Sequence, residues 1–120
     1  MALDFNSIEN AAYYMKHSLE KQGYKIEATS APSVTYPSLD DYRKFVSLTQ
    51  RILDSSDKLL GYITYRVTQT TSVKHPMFSS YEVFDSAYAS LQKYHLKDYS
   101  SADICFKTVY DYILNHFKMV

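Results

Sequence analysis

The chain contains few residues that could bind a transition metal. They are His17, His75, His95, His116 and Cys105. No two histidines have the close spacing of a helical metal site, and Cys105 has no second thiol to share an ion with. A site would require His95, His116 and a carboxylate such as Asp98 to converge. Because a histidine beside an apolar stripe usually lies at a core edge with its nitrogens hydrogen-bonded, we expect no metal and no other cofactor.

Residues that could act as a nucleophile or a general acid are also few. Cys105 falls on the apolar stripe of a predicted helix, where a cysteine behaves as a small buried apolar residue. The chain has no Gly-x-Ser-x-Gly motif, and its two glycines are too few for a phosphate-binding loop. The carboxylate pairs Asp40–Asp41 and Asp54–Asp57 stand where helix caps and solvated faces commonly place aspartate. We therefore predict no catalytic residue and do not expect an enzyme.

Tyrosine is the residue type in excess, with 13 copies beside six phenylalanines and no tryptophan. Tyr13 lies on the polar side of the first predicted helix. If residues 56–70 are helical, Tyr62, Tyr65 and Arg66 lie off the apolar stripe. Tyrosine and arginine contribute much of the binding energy of protein interfaces. We therefore predict that Tyr13, Tyr62, Tyr65 and Arg66 contact a protein partner; the alternative is that they are ordinary exposed side chains or pack on another element.

Composition sets limits on the class of protein. The 120 residues fit one domain, residues 1–120, and 46% are hydrophobic, which argues against disorder. The formal net charge is zero, so the chain lacks the basic excess typical of nucleic-acid binders. The single cysteine, the lack of a membrane-length apolar run and an N-terminus unlike a secretory signal lead us to expect a cytoplasmic protein with no membrane contact.

Apolar residues recur at helical spacing in four segments, and each segment starts at a serine that can cap the first amides. The predicted helices run from Ser7 to Gly23, from Ser38 to Leu53, from Ser79 or Ser80 to Tyr94, and from Ser100 or Ser101 to Phe117. Gly23 can take the left-handed conformation that ends a helix. Two glycines and three prolines are too few for a turn-rich sandwich or barrel.

Residues 56–70 fit two patterns. Leu59, Leu60, Ile63 and Val67 continue the second apolar stripe in phase, which favours a helix to about residue 70. Alternation of Ile63 and Val67 around Tyr65, among β-branched and aromatic neighbours, favours a strand. We predict a mainly α fold, a four-helix bundle-like single domain, to which a two-stranded sheet of residues 24–28 and 61–68 can be added. The alternative is a two-layer α+β domain.

These observations favour a non-enzymatic protein-binding module, such as an inhibitor, an immunity protein or an adaptor of bacterial or phage origin. A structural or assembly subunit that forms a homo-oligomer is the first alternative, because zero net charge removes one barrier to self-association. A small-ligand or nucleic-acid binder is the second. The basic groups that could serve such a binder are Lys16, Lys21 and Lys25, and Arg43, Lys44 and Arg51.

Overall fold

The computed structural model describes residues 8–28, 33–35, 43–70 and 77–118. Within them the chain forms two α-helices and six strands. In chain order these are α1 (Ile8–Glu20), β1 (Lys25–Ala28), β2 (Ser33–Thr35), β3 (Arg43–Leu53), β4 (Leu59–Thr70), β5 (Met77–Asp85), β6 (Ser90–His95) and α2 (Ala102–His116). A short 3-10 turn, Leu96–Asp98, joins β6 to the segment before α2.

The six strands form one antiparallel sheet in the order β1-β3-β4-β5-β6, and β2 pairs with β3 beyond the end of β1. Strands β3 to β6 follow one another in sequence and in space, so short turns suffice to connect them. Helix α1 packs on β1, β3 and β4, and α2 packs on β6 and on α1. The result is an α+β architecture in which both helices cover one face of the sheet.

The main core lies between this inner face and the helices. Its fully buried members include Met15, Leu19, Ile52, Ile63, Tyr65, Tyr81, Val83, Cys105, Val109 and Ile113. Tyrosine is therefore a core residue here, and two of the buried tyrosine hydroxyl groups donate hydrogen bonds inside the fold. The Tyr24 hydroxyl donates to the Phe117 carbonyl at 2.6 Å, and the Tyr65 hydroxyl donates to the side chain of Gln50. Gln50 in turn donates to the Ala12 carbonyl at 3.2 Å, which ties α1 to the sheet.

The end of α1 and both limits of α2 agree with their sequence signals. Gly23 has φ of 99°, and the chain closes behind α1 with a 3.2 Å hydrogen bond from the Tyr24 amide to the Leu19 carbonyl. The Ser101 hydroxyl caps α2 by accepting from the Ile104 amide at 3.2 Å. The predicted N-terminal cap of the first helix lies outside the described residues.

The prediction of a mainly α, four-helix bundle is wrong, because the segments assigned to the second and third helices form strands β3, β5 and β6. Residues 56–70, for which a helix was favoured, contain strand β4. The sheet buries apolar side chains on both faces, so neighbours such as Ile52 and Leu53, or Val83 and Phe84, are both buried. Pairs of adjacent apolar residues obscure the two-residue period and imitate a helical stripe. The observed fold is a sheet-rich α+β architecture.

The small sheet predicted from residues 24–28 and 61–68 also has the wrong partner. β1 pairs with β3, and β4 lies on the other side of β3. Among the residues that the structure describes, neither helix is both long and apolar enough to cross a membrane.

Candidate functional site

The candidate site lies on the outer face of the sheet, the face opposite the helices. Arg51 pairs with Tyr62, and Tyr62 pairs with Phe84, so the three side chains form one row across β3, β4 and β5. The neighbouring residues Ile63 and Val83 point into the main core. Since successive side chains alternate between the faces of a sheet, the row from Arg51 to Phe84 faces outward.

Tyr88, in the turn between β5 and β6, folds its ring onto this row. Its ring centroid lies 5.0 Å from that of Tyr62 and 4.4 Å from that of Phe84, at interplanar angles of 73° and 30°. Phe84 is buried, Tyr62 is half-buried, and Tyr88 keeps 53% of its surface exposed. We call Tyr62, Phe84 and Tyr88 the aromatic cluster.

The backbone that presents Tyr88 is in an unfavourable conformation. Tyr88 has φ of 63°, in the left-handed region that bulky L-residues rarely adopt. Asp85 holds the turn there. One of its carboxylate oxygens accepts from the amides of Ala87 and Ala89, both at 2.9 Å, and its carbonyl accepts from the Tyr88 amide at 3.0 Å. The left-handed conformation costs an L-residue about 1–2 kcal/mol, so a ring at this position needs compensation.

The turn between β3 and β4 is built in the same way and shows the usual solution. The Asp54 carboxylate accepts from the amides of Ser56 and Lys58, at 2.8 and 2.9 Å, and Asp57 occupies the left-handed position with φ of 67°. Aspartate tolerates that conformation far better than tyrosine does. Asp54 and Asp57 therefore serve the turn, and the exceptional residue is Tyr88.

Arg51 is the charged member of the row beside the aromatic cluster. Its Nε is buried and has no hydrogen-bond partner, and no ion pair within the described part of the chain includes its guanidinium. Glu27 faces Arg51 across the β1–β3 pair but does not form a salt bridge with it. The outer face thus carries an arginine whose positive charge no described carboxylate neutralises.

Arg66 lies further along β4 and is neutralised. It forms an ion pair with Glu82, which also accepts a 2.7 Å hydrogen bond from Ser90. Burial raises the pKa of Glu82, but the hydrogen bonds from Ser90 and Arg66 and the charges of Arg66 and Lys93 outweigh it and lower the pKa below its ordinary value. The carboxylate is therefore held ionised within a small polar network on the same face as the aromatic cluster.

The structure separates the four residues predicted to contact a partner. Tyr62 and Arg66 share the outer face, because they are four residues apart on one strand. Tyr65 points the other way and is fully buried. Tyr13 is 58% exposed on α1, on the helix side of the sheet, where its ring packs against His17.

Three residues of this surface are not among those that the sequence predicts to contact a partner. Phe84 and Tyr88 fall within the third predicted helix, and Arg51 falls in a basic group on the second. The spacing Asp54 to Asp57 repeats as Asp85 to Tyr88, and this repeat was a usable signal for two matching turns.

Cys105 and His116, considered above as a nucleophile and a metal ligand, lie on α2, on the helix side of the sheet. Cys105 is buried beside tyrosines of the core, and burial, aided by the charge of Asp98, raises the pKa of its thiol to about 11. A thiol held protonated in this way is a poor nucleophile. His116 is exposed and stacks on Tyr112 at 5.4 Å. Within residues 8–28, 33–35, 43–70 and 77–118, no three His, Cys, Asp or Glu side chains gather as metal ligands would. His75, Asp40 and Asp41 lie outside those ranges.

The chain matches no model of a protein family, no curated protein sequence and no solved structure. The function must therefore be argued from the geometry of the outer face.

Proposed function

We propose that this protein is a non-enzymatic binding module that contacts a protein partner through the outer face of its sheet. The observation that supports the proposal is Tyr88, an aromatic side chain kept half exposed on a backbone conformation that disfavours it. Unfavourable backbone conformations of this kind concentrate at functional positions. Partner contact accounts for the ring, because binding would bury its exposed half.

The composition of the surface supports the same function. Tyrosine and arginine are enriched among the residues that dominate binding energy, since they bury large areas or make several hydrogen bonds. Tyr62 and Tyr88 offer aromatic area already ordered by ring contacts, so little side-chain entropy is lost on binding. Arg51 offers beside them a positive charge that no carboxylate of the described residues pairs with. The complementary partner surface is an apolar patch that includes a carboxylate.

Site-specific photocrosslinking tests the proposal in a lysate of the source organism. We would replace Tyr62 by a photoreactive phenylalanine analogue, and Tyr13 in a matched control on the helix side of the molecule. We expect the variant labelled at 62 to give one discrete adduct with another protein, and the variant labelled at 13 not to give it. Excess unlabelled protein should compete for the adduct, and excess Arg51→Gln protein should compete less well.

Two results would contradict this function. One is the same adducts from positions 62 and 13, which would mean unspecific contact. The other is an adduct at 62 with a second copy of the chain, together with a dimer in light scattering, which would favour the assembly-subunit alternative.

A further inference from the structure

A groove of about 350 Å³ lies on the other side of the molecule, between the two helices. One wall is formed by the last turn of α1 and the residues just after it, including Ser18 and Lys21. The other wall is formed by the first turns of α2, including Asp103, Phe106 and Lys107. Its volume falls at the lower end of the range of pockets that hold small ligands.

Aromatic side chains form the apolar part of the groove. Phe106 is only 8% exposed, and Tyr110 is half-buried one helical turn further along α2. Residues four apart lie on the same face of a helix, so the two rings follow one another along the wall. A planar apolar group in the groove would contact the half-buried ring of Tyr110 and the small exposed edge of Phe106.

Charge gives the groove a preference for anions. Lys21 and Lys107 stand on opposite walls, and Asp103 is the single acidic residue among the described residues that line it. Lys107 lies 3.8 Å from the carboxylate of Asp111, but both side chains are mostly exposed, and pairs of this kind contribute little. No salt bridge of Lys21 exists in the described part of the chain. Among the lining residues, two ammonium groups face one carboxylate; Asp111 lies outside the lining and offsets part of the charge of Lys107, so Lys21 is the main source of positive charge in the groove.

We propose that this groove binds a small organic anion with an aromatic ring, such as an aryl carboxylate, sulfonate or phosphate. The ring packs on Phe106 and Tyr110, and the anionic group lies between the ammonium groups of Lys21 and Lys107. The proposal goes beyond the protein-binding function and is independent of it, because the aromatic cluster lies on the opposite face of the sheet.

Three probes distinguish the contribution of the aromatic ring from that of the anionic group. Naphthalene-1-sulfonate carries both ring and charge, 1-naphthol carries the ring without the charge, and methanesulfonate carries the charge without the ring. In calorimetric titrations of the full chain at low salt, we expect naphthalene-1-sulfonate to bind with one-to-one stoichiometry. 1-Naphthol should bind several-fold more weakly, and methanesulfonate should show no saturable binding. Equal binding of the first two probes would overturn the anion preference, and no binding of any probe would overturn the site.

Variants then locate the bound probe. Lys21→Gln and Lys107→Gln should each weaken the binding of naphthalene-1-sulfonate about two- to fivefold, as expected for exposed charge pairs, and together about tenfold. Ser18→Trp should abolish binding by filling the groove. Lys93→Gln, on the sheet, is the matched control and should bind as the original protein does. Unchanged circular dichroism and melting temperature would establish that each variant is folded, and unchanged binding in folded Lys21→Gln, Lys107→Gln and Ser18→Trp would refute the assignment.

Discussion

Replacing Gly61 by alanine should destabilise the protein strongly, although alanine is normally the better residue within a strand. Gly61 lies in β4 on the inner face, where the ring of Phe117 covers it. A Cβ atom at this position would lie 2.3 Å from the Phe84 carbonyl oxygen and 2.6 Å from Cζ of Phe117. Both distances are shorter than non-bonded atoms tolerate, so at least one neighbour must move.

Neither neighbour can move cheaply. The Phe84 carbonyl belongs to the backbone of β5, which is fixed by pairing with β4 on one side and β6 on the other. Both backbone polar groups of Phe117 are hydrogen-bonded: its amide donates to the Ile113 carbonyl at 2.9 Å, and its carbonyl accepts from the Tyr24 hydroxyl. Overpacking costs about 1–3 kcal/mol at one site, and leaving glycine returns up to about 1 kcal/mol. With two clashes, we expect a net loss of about 2–4 kcal/mol.

Urea unfolding, followed by circular dichroism, would measure the loss in the free energy of unfolding. The matched control combines Gly61→Ala with Phe117→Leu, which removes the ring from the Cβ but leaves the Phe84 carbonyl in place. The double variant should therefore lose less stability than the sum of the single variants, and a loss from the carbonyl clash should remain. Gly61→Ala within about 0.5 kcal/mol of the original protein would refute the close packing of Phe117 on the sheet.

Three further predictions concern the buried hydroxyl groups, the alkaline limit and the aromatic cluster. Tyr65→Phe should lower the free energy of unfolding by about 1–3 kcal/mol, because it leaves the buried amide oxygen of Gln50 without this donor; a loss below 0.5 kcal/mol in urea unfolding would contradict that contact. Burial raises the pKa of Cys105 to about 11 and that of Tyr94 to about 12, so these groups keep protons in the folded state that the unfolded chain releases. Stability should therefore be level below about pH 8 and should fall as the pH rises towards 11 and 12, and a flat profile from pH 8 to 11 would argue against burial of the thiol. Tyr88→Asn should change stability by less than about 1 kcal/mol, because relief of the left-handed backbone offsets the lost ring contacts, yet it should abolish the crosslink from position 62; retention of that crosslink would remove Tyr88 from the interface.

The sequence patterns predict the first and last helices correctly, but they assign helices to segments that form strands between them. Helices α1 and α2 bury apolar residues at helical spacing along one side, and the end of α1 and the start of α2 are marked by Gly23 and Ser101. In the sheet, apolar residues occupy both faces, so Val83 and Phe84 are adjacent and both buried. The polar residue Gln50 is buried on the inner face and breaks the alternation further. A helical period then fits the sequence better than the two-residue period that the fold uses.

Prediction of the candidate site from the sequence depended on the same distinction between helix and strand. On a helix, residues 62, 65 and 66 can share one side, so Tyr62, Tyr65 and Arg66 were predicted to act together. On a strand, side chains alternate, so Tyr65 enters the core while Tyr62 and Arg66 stay outside. The partners that Tyr62 meets, Phe84 and Tyr88, come from another strand and its turn. The proximity of Tyr62 to Phe84 follows from strand pairing, which no local pattern in the sequence specifies.

The comparison of the two matching turns supports the proposal that Tyr88 serves binding rather than stability. In both turns the left-handed residue makes a side-chain contact: Asp57 accepts from Lys25 at 2.7 Å, and Tyr88 packs on Phe84. Asp57 achieves this with a residue type suited to the conformation. If ring packing alone were needed over Phe84, the neighbouring strands offer positions with relaxed backbones. Tyr88 instead leaves 53% of its surface in water, and the nearby Arg51 has no carboxylate partner among the described residues. Because Arg51 pairs with Tyr62 and the ring of Tyr88 packs on Tyr62, a partner that covers the exposed ring would also lie near Arg51.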